Sequence, residues 1–183
     1  TAGGNDPNLA ISGATLPMVW PGASYSGRIG NMWQAVGNNS NGNGETITYA
    51  LTVTPTNCVF TYHYAVVLYD GGHPNGQQPF FNIKATDGNG NDIACGDYEV
   101  DATQARTGAI GGFNRISSRA IYWKPWSSVL LPLINYIGQT VKITFTTRGC
   151  EPGGCAGSHY AYAYIDAECG PPVLVASSPT ICG

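Results

Sequence analysis

The chain has 183 residues, of which 10% are charged, and its formal net charge is −3. This length predicts one domain with one sizeable hydrophobic core. The eight basic residues are scattered, and no apolar run reaches the roughly 18 residues that cross a bilayer, so we expect no nucleic-acid partner and no membrane insertion.

Segments with the period-two alternation of β-strands follow one another along the chain. In the first of them, Ile47, Tyr49 and Leu51 alternate with polar or small residues, which predicts one apolar face. The next run is apolar or aromatic on both faces, which is typical of a central strand covered on both sides. The predicted strands are Glu45–Thr54, Cys58–Tyr69, Phe80–Thr86, Ile93–Cys95, Ala120–Trp123, Ser127–Leu131, Val141–Thr147 and Tyr160–Asp166.

Turn signals rich in Gly, Pro and Asn separate these strands. Asp87–Asp92 predicts a tight hairpin, Gly37–Gly44 a surface loop, and Leu133–Gly138 a short helical turn, while no segment has helical periodicity over three turns. About eight short strands predict an all-β, antiparallel β-sandwich. The chain length favours a jelly-roll-like topology over an immunoglobulin-like one.

Six cysteines form an even set in a chain with little charge, a pattern typical of compartments in which disulfides persist. We therefore expect an extracellular protein. A zinc–thiolate site is the competing interpretation, but four residues lie between Cys150 and Cys155 instead of two, and no second close pair exists. The disulfide candidates, whose pairing stays open, are Cys58, Cys95, Cys150, Cys155, Cys169 and Cys182.

Two strand-end aspartates, Asp70 and Asp166, are candidate ligands for calcium, since oxygen ligands from adjacent strand ends could bind such an ion. The alternative is that these aspartates cap turns, and that His73 and His159 near them donate hydrogen bonds to the backbone. No cofactor is required by the sequence. Motifs for a nucleophile elbow, a zinc protease or a phosphate loop are absent, so we assign no catalytic residue and expect no enzyme activity.

A row of tyrosines could bind a ligand. Tyr160, Tyr162 and Tyr164 project from one face of their predicted strand. If that face is exposed, the rings could stack on sugars, with Trp123 or Trp126 beside them, and the chain would be a carbohydrate-binding module for surface glycans. If the rings fill the core, this platform is lost.

Seven segments carry a further signal: Thr61–Asp70, Gly72–Pro74, Gln78–Phe81, Trp123–Trp126, Tyr136–Val141, Cys150–Gly154 and His159–Asp166. Together they resemble a module repeated in very large cell-surface proteins of Bacteroidota, similar to the gliding-motility-associated, adhesin-like proteins exported by the type IX secretion route. The resemblance covers roughly Arg28 to Gly170. It implies display on the cell surface and a role in adhesion or structure, with neighbouring domains of the same polypeptide or identical subunits as partners.

The chain departs from this pattern around Cys155, where the loop is longer, and in its tail. We expect residues 1–170 to form the sandwich module and residues 171–183 to be a linker with the first strand of a following domain. The apolar segment Val173–Ile181 could instead add to the sheet edge of another subunit, as in donor-strand assembly, which would make the chain the subunit of an extracellular filament.

Overall fold

The structure of the protein is a computed structural model, which describes residues 1, 3–30, 44–74, 76–150 and 159–172. Its elements are α1 (Pro7–Ala10), β1 (Gly27–Gly30), β2 (Gly44–Thr52), β3 (Val59–Tyr69), β4 (Phe80–Thr86), β5 (Asp92–Asp101), α2 (Ala102–Thr107), β6 (Asn114–Ile116), β7 (Ile121–Pro132), β8 (Thr140–Arg148) and β9 (Ala161–Gly170), with short 3-10 turns at Ser117–Arg119 and Ile134–Tyr136. None of the helices in these ranges is long and apolar enough to span a membrane.

The described strands form two antiparallel sheets. One has five strands in the order β1-β9-β3-β7-β6, and the other has four in the order β2-β8-β4-β5. The two sheets enclose the main hydrophobic core, which confirms the predicted all-β sandwich. The preference for a jelly-roll-like topology stays a prediction.

Strand β3 is covered on both faces, as its sequence predicts. Its residues Phe60, Tyr62 and Tyr64 point into the core between the sheets, where Phe81 and Phe145 of the four-stranded sheet contact them. Its alternate residues, such as the fully buried Val67, contribute to a second cluster on the outer side of the five-stranded sheet. The structure is therefore layered on both sides of this sheet.

Residues 3–26, which we call the N-terminal cover, form the layer over the outer face of the five-stranded sheet. Within it, Asp6 caps helix α1 by accepting a hydrogen bond from the Leu9 backbone N–H at 2.8 Å, and Pro7 begins the helix with its fixed φ. Leu9 and Leu16 are fully buried against the sheet. This cover was not predicted, because its segment has no periodic apolar pattern.

The outer face of the four-stranded sheet is exposed to solvent. Strands β2 and β8 pair there through threonines on directly opposite positions, with hydroxyl oxygens 3.1 to 3.4 Å apart. These pairs are Thr46 with Thr146, Thr48 with Thr144, and Thr52 with Thr140. The predicted polar face of β2 is thus confirmed.

Several predicted elements differ from the structure in extent. Strand β5 continues well past Cys95 to Asp101, and β7 is one strand instead of two, with a register shift opposite Ala65. Helix α2 was not predicted because it has only six residues, although Asp101 and Gln104 form a capping box at its start. The predicted helical turn is confirmed at Ile134–Tyr136.

The described cysteines are in two states. Cys95 and Cys150 are disulfide-bonded, whereas Cys58 and Cys169, two of the six disulfide candidates, have free thiols. Phe60 lies opposite Cys169, which places Cys58 diagonally from Cys169 across the β3–β9 pair. Diagonal Cβ atoms are about 7 Å apart, too far for a disulfide, which needs about 4 Å.

Some predictions concern residues outside the described ranges: Cys155, Cys182, most of the Gly37–Gly44 loop and Val173–Ile181.

Candidate functional site

Two histidines and a cysteine meet at one end of the sandwich, where β3 and β8 end and β9 begins. Nε2 of His73 lies 2.9 Å from Nδ1 of His159, and that nitrogen lies 3.6 Å from Sγ of Cys150. One possible ligand atom from each of the three residues lies within 4.8 Å of the others. Cys150 is buried, while both histidines are half-buried.

Local packing fixes the position of the His159 ring. The ring stacks on Tyr69 with centroids 5.2 Å apart, and a Cβ atom at position 71 would overlap it, so only glycine at Gly71 permits this approach. The loop that carries His73 is held by Gln78, whose side-chain amide donates to the His73 carbonyl oxygen at 3.0 Å. The two imidazoles are therefore positioned by the fold.

Burial lowers the pKa of His159, and the neighbouring His73 lowers it further, while Asp70 acts in the opposite direction. The neutral imidazole is thus favoured for His159. A neutral imidazole has one nitrogen with a free lone pair, which is the form that binds a metal ion.

The structure does not bring Asp70 and Asp166 together, so a calcium site built on both was a wrong prediction. Asp166 lies opposite His63, seven residues along β3 from Asp70, which corresponds to roughly 23 Å. The Asp70 carboxylate is already occupied: it accepts from Gln78 at 2.6 Å and from the Gly72 backbone at 2.8 Å, and it pairs with Arg106 at 2.8 Å. The alternative, that Asp70 caps a turn, agrees with its bond to Gly72.

The tyrosine row lies beneath the N-terminal cover. Tyr162 and Tyr164 donate from their hydroxyls to the Asp6 carboxylate at 2.8 and 2.9 Å, and Asn8 donates to Tyr160 at 2.8 Å. All three rings are buried, so they offer no exposed stacking surface. Burial raises the pKa of each of these tyrosines.

The two candidate tryptophans also pack under or beside the cover. Trp126 donates from its ring nitrogen to the Pro17 carbonyl oxygen at 2.8 Å and meets Trp20 edge-on, and Trp123 packs against the same outer cluster. Trp20 in turn stacks on His63 at 3.9 Å. The five predicted ligand-binding aromatics are thus close together, but they form a second core.

A cleft of about 360 Å³ opens between the two sheets at the edge formed by β1, β9 and β2. Its apolar lining includes Ile47, Tyr49, Phe60 and Ile165, and Cys169 contributes an exposed free thiol. Ile47 and Tyr49 are 50% and 47% exposed, unlike the buried Leu51 of the same strand. The opposite sheet therefore covers the predicted apolar face of β2 only at the C-terminal end of this strand.

The cleft is bordered by strand edges that have no partner among the described residues. Strand β2 is the last strand of its sheet, and β1 pairs with β9 only from Tyr162 to Ile165. On the side of β9 that faces β1, residues 166–170 therefore present their backbone groups to the cleft. Unpaired edges of this kind can accept a further strand.

No protein-family model matches the chain, and none of the curated proteins compared with it matches significantly.

The sequence pattern grouped Asp70, His73, His159 and Asp166 but did not add Cys150, which was considered as a disulfide candidate and, with Cys155, as part of a zinc–thiolate site. The cleft was also missed. Its signal was present in the alternation of β2, but the extent to which the opposite sheet covers an apolar face cannot be derived from one strand's pattern.

Proposed function

We propose that this chain is an extracellular adhesive or structural module of a bacterial cell-surface protein. The low charge, the disulfide-bonded Cys95 and Cys150 and the resemblance to surface-protein modules support this assignment. The single observation that carries it is the apolar cleft beside strand edges that are unpaired within the described part of the chain, a geometry that can accept a protein strand. The proposal assigns no catalytic step to the chain.

The occupant we propose for the cleft is the segment Val173–Ile181 of an identical subunit, which would make the chain a filament-forming module. Its residues Val173, Leu174 and Val175 supply the apolar side chains that the cleft would cover. Pro171 and Pro172, which connect β9 to this segment, do not form a two-residue hairpin turn. Two-residue hairpin turns need positive φ, which proline cannot adopt.

Sedimentation velocity of the full chain tests this occupant. We expect assemblies that grow with concentration and that are lost when residues 173–183 are deleted or when Ile47 is changed to Lys in the cleft. The matched control is Thr46→Lys, which adds the same charge to the same strand on the opposite, exposed face. Monomers at every concentration would refute assembly through the tail and leave a strand from a neighbouring domain as the occupant.

The carbohydrate-binding alternative has lost its predicted platform, since the tyrosine rings are buried. A glycan array with the full chain tests it directly. Binding to a defined sugar that is lost in Tyr49→Ala, a half-exposed cleft residue, would place glycans in the cleft and would contradict strand docking there.

A further inference from the structure

The cluster of His73, Cys150 and His159 is not used by the proposed function, and its atoms are those that transition metals prefer. Imidazole nitrogen and cysteine sulfur are the usual protein ligands of Zn²⁺, whereas calcium takes oxygen. These three residues come from three separate chain segments, 77 and 9 residues apart in sequence. The fold therefore assembles a mixed nitrogen and sulfur donor set.

The distances agree with those around a tetrahedral ion. With Zn–N bonds of about 2.05 Å and a Zn–S bond of about 2.3 Å, two nitrogen ligands lie about 3.3 Å apart, and a nitrogen and a sulfur about 3.6 Å apart. The observed separations are 2.9 Å between the imidazole nitrogens of His73 and His159 and 3.6 Å between Cys150 sulfur and His159. The third pair, His73 with Cys150, lies within 4.8 Å, so entry of an ion requires the rings to separate by a few tenths of an ångström and the cysteine to close on His73.

The two imidazoles already share one proton between facing nitrogens. For the 2.9 Å contact to be a hydrogen bond, one nitrogen must donate and the other must accept. To bind a divalent cation, the donating ring must change tautomer, so that its proton lies on the nitrogen that faces away and both facing nitrogens offer a lone pair. Binding to the two neutral imidazoles then releases no net proton.

The disulfide at Cys150 divides the site into two states. While the disulfide is intact, the sulfur is not a thiolate, and only His73 and His159 are strong donors. Reduction by a phosphine breaks the S–S bond: the phosphine is oxidised to its oxide, and one water supplies the oxygen and the two protons of the new thiols. Zinc then displaces the thiol proton of Cys150 and gains an anionic ligand.

We propose that His73 and His159 form a binding site for Zn²⁺ or an ion of similar preference, and that Cys150 becomes the third ligand when its disulfide is reduced. The oxidised site binds weakly through two histidines. The reduced site binds tightly through two histidines and a thiolate. The redox state of one cysteine thus sets the zinc affinity at this end of the sandwich.

Calorimetric titration of the full chain with zinc chloride, before and after phosphine reduction, tests the proposal. We expect reduction to tighten binding by roughly a hundredfold, since a thiolate adds charge and a strong bond to the site. His73→Ala should weaken binding at least about tenfold in both states. The matched control is His63→Ala, which removes the third histidine of the chain from its stack on Trp20.

Two further variants separate Cys150 from Cys95, the other disulfide-bonded cysteine among the described residues. Reduced Cys150→Ser should lose the gain in affinity, whereas reduced Cys95→Ser should keep it, because Cys95 lies beside Tyr62 and Lys124 and not in the histidine cluster. With Co²⁺ in place of zinc, a thiolate-to-metal absorption band should appear only after reduction and only when Cys150 is present.

Zinc affinity that is the same in both redox states, or that His73→Ala leaves unchanged, would overturn the proposal. If a variant does not fold, NMR of the unmodified chain decides. On zinc addition the ring signals of His73 and His159 should shift while those of His63 stay in place, and a shift of His63 alone would refute the site.

Discussion

On the outer face of the four-stranded sheet, paired threonines meet solvent, whereas on the outer face of the five-stranded sheet Tyr160, Tyr162 and Tyr164 lie beneath the N-terminal cover. Both faces are regular ladders of alternate residues. The threonine ladder needs no further layer, because each hydroxyl pairs with its neighbour across the strands and with water. The tyrosine ladder presents large rings, and burial of such rings is favourable only when another segment supplies matching contacts.

The cover supplies both apolar and polar contacts. Leu9 and Leu16 fill the space above the rings, and the buried Asp6 accepts two of the three tyrosine hydroxyls. A buried hydroxyl without a partner would cost about 1 to 3 kcal/mol, so the carboxylate is as necessary as the leucines. An outer sheet face therefore becomes a core only when each buried polar group of its side chains has a hydrogen-bond partner.

The largest effect should come from removing one ring of the covered face. Tyr162→Ala deletes a fully buried side chain, and we expect it to lower the free energy of unfolding by about 3 to 5 kcal/mol. Urea denaturation measures this difference. Tyr162→Phe, which keeps the ring and loses the bond to Asp6, should cost only about 1 kcal/mol. A loss below about 1 kcal/mol for the alanine variant would show that the covered face is not a true core.

Removal of the buried carboxylate should have the next largest effect. Asp6→Ala removes the cap of helix α1 and leaves the hydroxyls of Tyr162 and Tyr164 without their acceptor. We expect a loss of about 2 to 4 kcal/mol in the same denaturation measurement. Asp6→Asn retains the cap but places an amide nitrogen, which cannot accept, where Oδ2 accepts from both tyrosines, so it should cost less than Asp6→Ala only by the contribution of the cap, about 1 kcal/mol. Equal losses in the two variants would mean that the cap contributes little and that the tyrosine contacts account for the effect.

Alkaline pH should destabilise the covered face and the main core together, because burial raises the pKa of tyrosines in both. Burial raises the pKa of Tyr162 and Tyr164 above the value of about 10 of an unfolded tyrosine, so above that pH the unfolded state loses protons that the folded state keeps. Stability is thus fully present below pH 10 and falls above it, by about 1.4 kcal/mol per pH unit for each such tyrosine. Unfolding measured from pH 8 to 11 checks the slope, which Tyr162→Phe should reduce.

The smallest effect is expected on the exposed face. Thr48→Ala removes one cross-strand hydroxyl contact of 3.1 Å in solvent, and the free energy of unfolding should change by less than about 0.5 kcal/mol. Thermal melting of this variant beside Tyr162→Ala gives the direct contrast between the faces. A loss above about 1 kcal/mol would mean that the threonine ladder is more than a solvated surface.

The sequence predicts the strands well because side-chain alternation is local. The first and last residues of β4, and the burial of both faces of β3, follow from the residues of these strands themselves. Whether the tyrosine row is buried does not follow from its own strand, because an alternation of small and aromatic residues is the same whether the rings are covered or exposed. The deciding partners, Asp6 and Leu9, lie more than 150 residues earlier in a segment without periodicity.

The proximity of the two histidines, but not a metal-binding role for them, follows from the sequence for a similar reason. His73 follows the end of β3 and His159 precedes the start of β9. The antiparallel pairing of β3 with β9 brings these two strand ends together. Cys150 follows a different strand in the other sheet, so its approach depends on how the sheets stack. A single sequence contains no local signal for that stacking.

The way in which the cover is attached also determines how the module would respond to mechanical load. Among the described residues, the hydrogen bonds that join the cover to the sheet run through side chains, such as Asp6 to Tyr162 and Trp126 to Pro17. Strand β9 is held instead by a backbone ladder along its whole length with β3. Tension applied through the N-terminal cover would therefore peel this layer away first and uncover an aromatic surface while the two sheets remain intact.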